Sequence, residues 1–419
     1  MQPFDPIGDD DDPFGEGMSF EGLPPFFTDL GRLFSYTGPL NFDIAQQTAV
    51  WAANEGEAEP NVDPMERMRI EELLRIAELH VAETTGMSTS LTGQSVRAIT
   101  LTRAEWSSQT LEAYRHWLEA LGNALTGSFD SMLENVDVDD LPPELFDTTD
   151  PAVRDQLSAM FANMGQVLRP ALIGIQSGMM VGHLAQRSFG AYDLPLPRPR
   201  SDELLFIPRN IDDFAKAWSL PEDDLRLWVC LSQLTHHIVL GIPHVANRIG
   251  ELVMEYVSNF EAESDSIERH LGAFNPEDPS SIQLVFDDPN AILGSIQTPA
   301  QQRSYEHLQA IVSAMEGYVD YVVATTGEKL IATYGQLEEA LLRHRVEENE
   351  GERFVEKLFG LSMGQELFDR GTAFAKGVIE RAGPNALGRL WTDAESLPTP
   401  NEIDAPGLWL ARIDLPITD

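Results

Sequence analysis

The sequence predicts a mainly helical chain, and three observations carry that reading. Apolar residues recur at helical spacing through most of residues 65–382, only two short runs look like strands, and no internal repeat is present. At 419 residues the chain can bury one large core or two moderate ones.

Met68, Leu73, Ile76 and Leu79 set the apolar positions of a helix over residues 65–84. Another is expected over 101–125, where Thr102 and Glu105 form a capping box and Trp106, Leu111, Tyr114 and Trp117 give an apolar stripe. Residues 151–189 continue in helix and carry Gly174, Gly178 and Gly182 at four-residue steps, a pattern that lets a neighbouring helix come close. That apolar run is too short to span a membrane, and Gln176 and His183 interrupt it, so a tightly packed internal helix is expected. Residues 204–207 and 282–286 are the strand candidates. Further helices are expected over 221–240 (with Ser219 as N-cap and Gly241 as stop), 299–325, 331–356 and 363–382.

The composition divides the chain further. Residues 1–24 are rich in Asp, Gly and Pro, include the run Asp9-Asp10-Asp11-Asp12, and read as a disordered acidic tail. Residues 26–34 read as a short amphipathic anchor onto the body, and 130–149 as an acidic connection. A helical N-terminal region, 25–200, is expected to precede a second region, 201–396, and the Pro-rich residues 397–419 to lie extended over the surface.

There are 68 acidic residues against 28 basic ones, a net charge of -40. That balance opposes nucleic acid and anionic membranes, both of which need clustered Lys and Arg. Cys230 stands alone, so neither an internal disulfide nor a Cys-based zinc site can form. Residues 1–16 lack the basic and apolar segments of a signal peptide, and no apolar run reaches the length of a membrane span. The expectation is a cytoplasmic protein without membrane insertion, whose partners are proteins.

Residues 225–237 read Leu-Arg-Leu-Trp-Val-Cys-Leu-Ser-Gln-Leu-Thr-His-His. In a zinc-binding H-E-x-x-H helix, two His one turn apart reach one metal and the Glu between them activates its water. Aligned on His236, the first His position holds Ser232 and the Glu position holds Gln233. Taken alone, His236 and His237 on an apolar helix read as structural.

Other blocks change that reading. Residues 178–197 read Gly-Met-Met-Val-Gly-His-Leu-Ala-Gln-Arg-Ser-Phe-Gly-Ala-Tyr-Asp-Leu-Pro-Leu-Pro, and Met315 begins Met-Glu-Gly-Tyr-Val-Asp. With Phe374-Ala375, Trp391 and Leu397-Pro398-Thr399, these resemble a zincin-like family of zinc-dependent metalloproteases, known mainly from actinobacteria and formerly a domain of unknown function. The resemblance runs from about residue 26 to 415, and the Ala-Gln-Arg…Tyr-Asp-Leu-Pro-Leu-Pro block is its most specific part. It implies an α+β, zincin-like, predominantly helical fold. It also implies that Glu316 is the third zinc ligand and that Asp320, one helical turn on, buttresses a ligand His.

The departures then decide the functional expectation. Ser232 is a poor ligand, so His236 and Glu316 remain as two retained positions, one too few for a catalytic zinc. Gln233 has no oxygen that can take a proton from water. His237 lies about 100° around the helix from His236, and His244 matches no ligand position. Ile242 stands where a metzincin would need His. Ser232 and His236, one turn apart, lack an orienting carboxylate in the sequence for use as nucleophile and base. Expected is a catalytically degenerate metalloprotease homologue, without a cofactor, acting as a binding or scaffolding protein. An active zinc enzyme with a non-standard ligand set, and a structural subunit using its acidic arm, are the alternatives.

Overall fold

The computed structural model describes residues 36, 38–126, 151–260, 297–346 and 350–414, apart from the side chains of 151–168. The expected tail, anchor, acidic connection and 282–286 strand lie outside the described residues. What is described is predominantly helical, with one two-stranded parallel sheet.

Helix α1 (Phe42–Ala53) opens the body, its N-cap Asn41 accepting from the Ile44 N–H. It lies along α4 (Pro151–Arg187), the glycine-stepped helix. A Cβ on Gly174, Gly178 or Gly182 would come within 2.6, 2.5 and 2.5 Å of Asn41, Ala45 and Ala52 atoms. The glycines thus fix the approach of two backbones, as their spacing predicts. Between these helices come α2 (Pro64–Thr85), β1 (Arg97–Thr100) and α3 (Arg103–Ala124). The capping box of α3, with Thr102 and Glu105, forms as expected, and Trp106, Leu111, Tyr114 and Trp117 are all buried.

After α4 a short 3-10 turn, Ala191–Asp193, leads to β2 (Glu203–Phe206), which pairs in parallel with β1 from Arg97↔Glu203 to Thr100↔Phe206. Helix α5 (Pro208–Ala217) follows, and then α6 (Glu222–Leu240), whose last sixteen residues are almost all buried. Arg226 anchors α6: its guanidinium, 2% exposed, meets Glu66 of α2 at 2.9 Å, Asp212 of α5 at 2.6 Å, and Asp223 and Glu222 on its own helix. Cys230, fully buried, points its thiol at the Ile70 carbonyl of α2, and burial pushes its pKa up. The chain bends by 85° into α7 (Pro243–Ser258). Among the described residues no single helix is long and apolar enough to cross a membrane.

The long helix α8 (Pro299–Leu330) crosses α6, followed by α9 (Tyr334–Val346), α10 (Glu350–Phe359) and α11 (Gln365–Ala382). Gly317 of α8 and Gly371 of α11 touch through their backbones, since a Cβ on Gly317 would fall 2.0 Å from the Gly371 oxygen. Two short helices, α12 (Pro400–Ile403) and α13 (Pro406–Ile413), end the described chain.

Several expectations change. The helix expected over 331–356 is described as helix over Tyr334–Val346 and Glu350–Phe359, starting three residues later and running three residues further than expected. Residues 400–413 are helical instead of extended, because Trp409 buries fully and Arg412 pairs with Glu402 at 2.6 Å. Contacts cross the expected boundary at 200/201: β1 pairs with β2, and α2 packs on α6. Ser219 does not cap α6; it takes a positive φ of 53° two residues before the N-cap position, Pro221. The core face of α2 is Ile70, Leu74, Ala77 and Val81, whereas Met68 and Leu79 are 61% and 67% exposed.

Candidate functional site

Helices α6 and α8 cross at His236 and Glu316, two of the site residues expected from the sequence. His236 Nε2 stands 2.9 Å from Glu316 Oε1, with both residues about 5% exposed. His236 Nδ1 is 2.9 Å from the Ser232 carbonyl one turn earlier. A carbonyl only accepts, so Nδ1 carries a proton and Nε2 faces the carboxylate. Burial works against a charged imidazole, but Glu316 outweighs it and raises the His236 pKa. The ring stacks parallel to Tyr192, centroids 6.4 Å apart at 11°. Both ring nitrogens are engaged, which leaves neither to serve the Ser232 hydroxyl as a base.

Gln233 is held on both sides of its amide. Its Oε1 accepts from the Tyr192 N–H at 2.8 Å, and its Nε2 donates to Asp193 Oδ1 at 3.1 Å. Gly190 leaves room for this side chain, since a Cβ there would fall 2.6 Å from the amide. The other Asp193 oxygen accepts the N–H groups of Phe189 and Gly190. Burial raises the Asp193 pKa to about 6, against the pull of those two backbone bonds.

Asp320 does not buttress His236. Its two oxygens accept from Arg345 of α9 at 3.0 and 3.3 Å, and the main-chain carbonyl of Ser232 fixes the imidazole in its place. His237 turns away from Glu316: its Nδ1 meets the Tyr192 hydroxyl at 3.1 Å, its Nε2 lies 3.9 Å from Asp202, and burial lowers its pKa to about 4. Asp202 in turn ties down residues 90–94. It accepts from the N–H groups of Leu91, Thr92 and Gln94 and from the hydroxyls of Ser90 and Thr92.

Ser232, His236, Glu316 and Asp193 line a partly open cavity of about 130 Å³. Arg187, His344 and Arg345 close one side, with Arg187 donating to the His344 carbonyl at 2.6 Å. Arg345 also lies over the Phe368 ring, 4.2 Å from its centroid. Asp193, Tyr192 and Arg345 escape the reading of the site from sequence. Asp193 and Tyr192 nevertheless belong to the Tyr-Asp-Leu-Pro-Leu-Pro block, and that block is the signal that points to them.

The sequence model of zincin-like metallopeptidases matches residues 40–410, most of the chain. The chain belongs to that family. No curated protein sequence matches it. A crystal structure from Chloroflexus aurantiacus, described as a candidate hydrolase with a novel fold, is similar over 90% of this chain and 99% of its own. Its sequence identity is 21% and its TM-score 0.58, a likeness of fold alone.

The zinc that the family name implies can be tested against the side chains present. His236 and Glu316 are suitable donors, yet the third corner holds a neutral hydroxyl in Ser232. Among the described residues no group of three or more His, Cys, Asp or Glu side chains is placed to hold a metal ion. Asp193 is committed to three other donors. These residues do not fit a catalytic zinc.

Proposed function

We propose that this chain is a catalytically degenerate zincin-like metallopeptidase that serves as a binding or scaffolding protein for a protein partner. The bonding of Gln233 carries the reading. A hydrogen-bond acceptor must face the Tyr192 N–H and a donor must face Asp193, which is the pattern of an amide. A glutamate there would set one carboxylate against another. The position that activates water in working zincins therefore holds a group that cannot take the proton. Ser232 removes the first ligand, and the two losses are consistent, because a base has no task without its metal.

A second reading, an active zinc enzyme with a non-standard ligand set, has one observation in its favour. His236 Nε2 and Glu316 Oε1 are as close as two ligands of one metal.

Elemental analysis and cleavage of an unstructured protein substrate distinguish the two. Wild type is expected to carry no stoichiometric zinc and to cleave nothing. Ser232→His completes a three-ligand set with His236 and Glu316 and is expected to bind zinc with little hydrolysis. Adding Gln233→Glu is expected to bring hydrolysis up, at a cost in stability from the facing Asp193. One tightly bound zinc in wild type, with chelator-sensitive cleavage, would overturn the degenerate reading.

A further inference from the structure

A second concavity, of about 910 Å³, runs between α3 and α7 on a different set of residues from the site at Glu316. Its lining is mostly apolar, with Trp117, Met254 and Pro197 among its residues. The glutamates at its edges, 112, 119, 251 and 255, outnumber Arg115 and Arg198.

The described chain begins beside this groove. Arg115, a groove residue, holds its guanidinium 4.4 Å from the centroid of the Phe42 ring, six residues after Tyr36, the first described residue. Pro39 rests against α3 so closely that a Cβ on Gly122 would fall 2.1 Å from its oxygen. Just upstream, Phe26, Phe27, Leu30, Leu33 and Phe34 are spaced to share one face of a helix. Phe34 is two residues from Tyr36 and so within about 7 Å of it along the chain.

We propose that the groove between α3 and α7 is the docking site of residues 26–34 of this same chain. The segment brings a short apolar face, the groove offers an apolar lining, and Phe34 lies only five positions before Pro39, which rests on α3. A second copy is the weaker occupant, since two chains of charge -40 repel and the groove edge adds glutamates to that repulsion. The same repulsion keeps the run Asp9 to Asp12 out of the groove, so docking stops near Phe26. Arg32 is the one cation of residues 26–34, and it meets a rim in which acids predominate.

Arg32 also makes the test, because trypsin cleaves after it. Gly250 of α7 lines the groove, and a Cβ there sits 3.7 Å from Trp117, an ordinary contact. Gly250→Leu therefore puts a branched side chain into the groove from a Cβ position that is itself in ordinary contact. Cleavage after Arg32, followed by mass spectrometry in the full chain, is expected to run at least about tenfold faster in Gly250→Leu than in wild type. Phe27→Ser with Leu30→Ser, which leaves the body untouched, is expected to give the same increase. Thermal unfolding of both variants checks that the body stays folded. Equal cleavage rates in wild type and the segment variant would overturn the proposal. So would protection that disappears on hundredfold dilution, which would assign the groove to a second copy.

Discussion

Two helix crossings in this molecule solve the same problem in opposite ways. Where α1 meets α4, three glycines remove the side chains of α4, and its backbone rests on the backbone and small side chains of α1. Where α6 meets α8, His236 and Glu316 meet as a buried polar pair, and a cavity of about 130 Å³ stays open beside them. The first crossing is held by close packing and tolerates no added atom. The second is held by charge and hydrogen bonding, with room for a different side chain at Ser232. The difference teaches where this fold can accept a changed side chain: the polar crossing has slack, and the glycine seam has none.

The largest effect is expected at the seam. Gly178→Leu drives a side chain into the Ala45 carbonyl and Thr48, both 2.5 Å from its Cβ. A loss of about 3 kcal/mol or more is expected in urea unfolding. A loss below about 1 kcal/mol would show that the helices can slide apart and that the contrast is false.

Next comes the polar crossing. Glu316→Ala leaves the His236 ring buried without its carboxylate, and the expected loss is about 2–3 kcal/mol, softened because the imidazole can shed its proton. The matching cycle with His236→Ala should return a coupling of about 1–2 kcal/mol. Simple additivity would mean that the pair contributes shape and not charge.

The smallest effect lies behind the site. Burial pushes the Asp202 carboxyl up, but the bonds from Thr92, Leu91 and Gln94 outweigh it and hold its pKa near about 2. A carboxylate depressed in the folded state contributes stability that is present above its unfolded value, 3.8, and is lost as pH falls through about 2. Asp202→Asn should cost about 1 kcal/mol at pH 7, with the gap to wild type narrowing in urea midpoints taken at pH 5, 4 and 3. A constant gap would assign the cost to shape alone.

Legibility in the sequence followed the range of the interactions. The α3 cap and the glycine seam depend on spacing within one helix, and both could be read directly. The α2 stripe misled because this helix carries apolar residues on opposite faces, Ile70 and Leu74 inward and Met68 and Leu79 outward. Periodicity finds a stripe but does not say which one meets the core. Strand β1 and helices α1, α5 and α7 were not expected: the four residues of β1 show little alternation, and α5 and α7 lie within a few residues of stronger elements. At the site, the places of His236 and Glu316 came from family resemblance. The roles of Asp193 and Arg345 depend on contacts between residues far apart in sequence, such as Asp193 with Gln233 and Arg345 with Asp320. No local pattern encodes those.

Cys230 gives the site helix a built-in reporter. Its thiol is sealed between α6 and α2, two residues from Ser232, and burial holds it in the unreactive protonated form. A thiol reagent can reach it only when α6 lifts from α2 or the whole protein unfolds. The protein has no other cysteine, so its rate of modification is a clock for the breathing of this one helix. A partner that grips the old cleft would slow that clock without touching the sulfur.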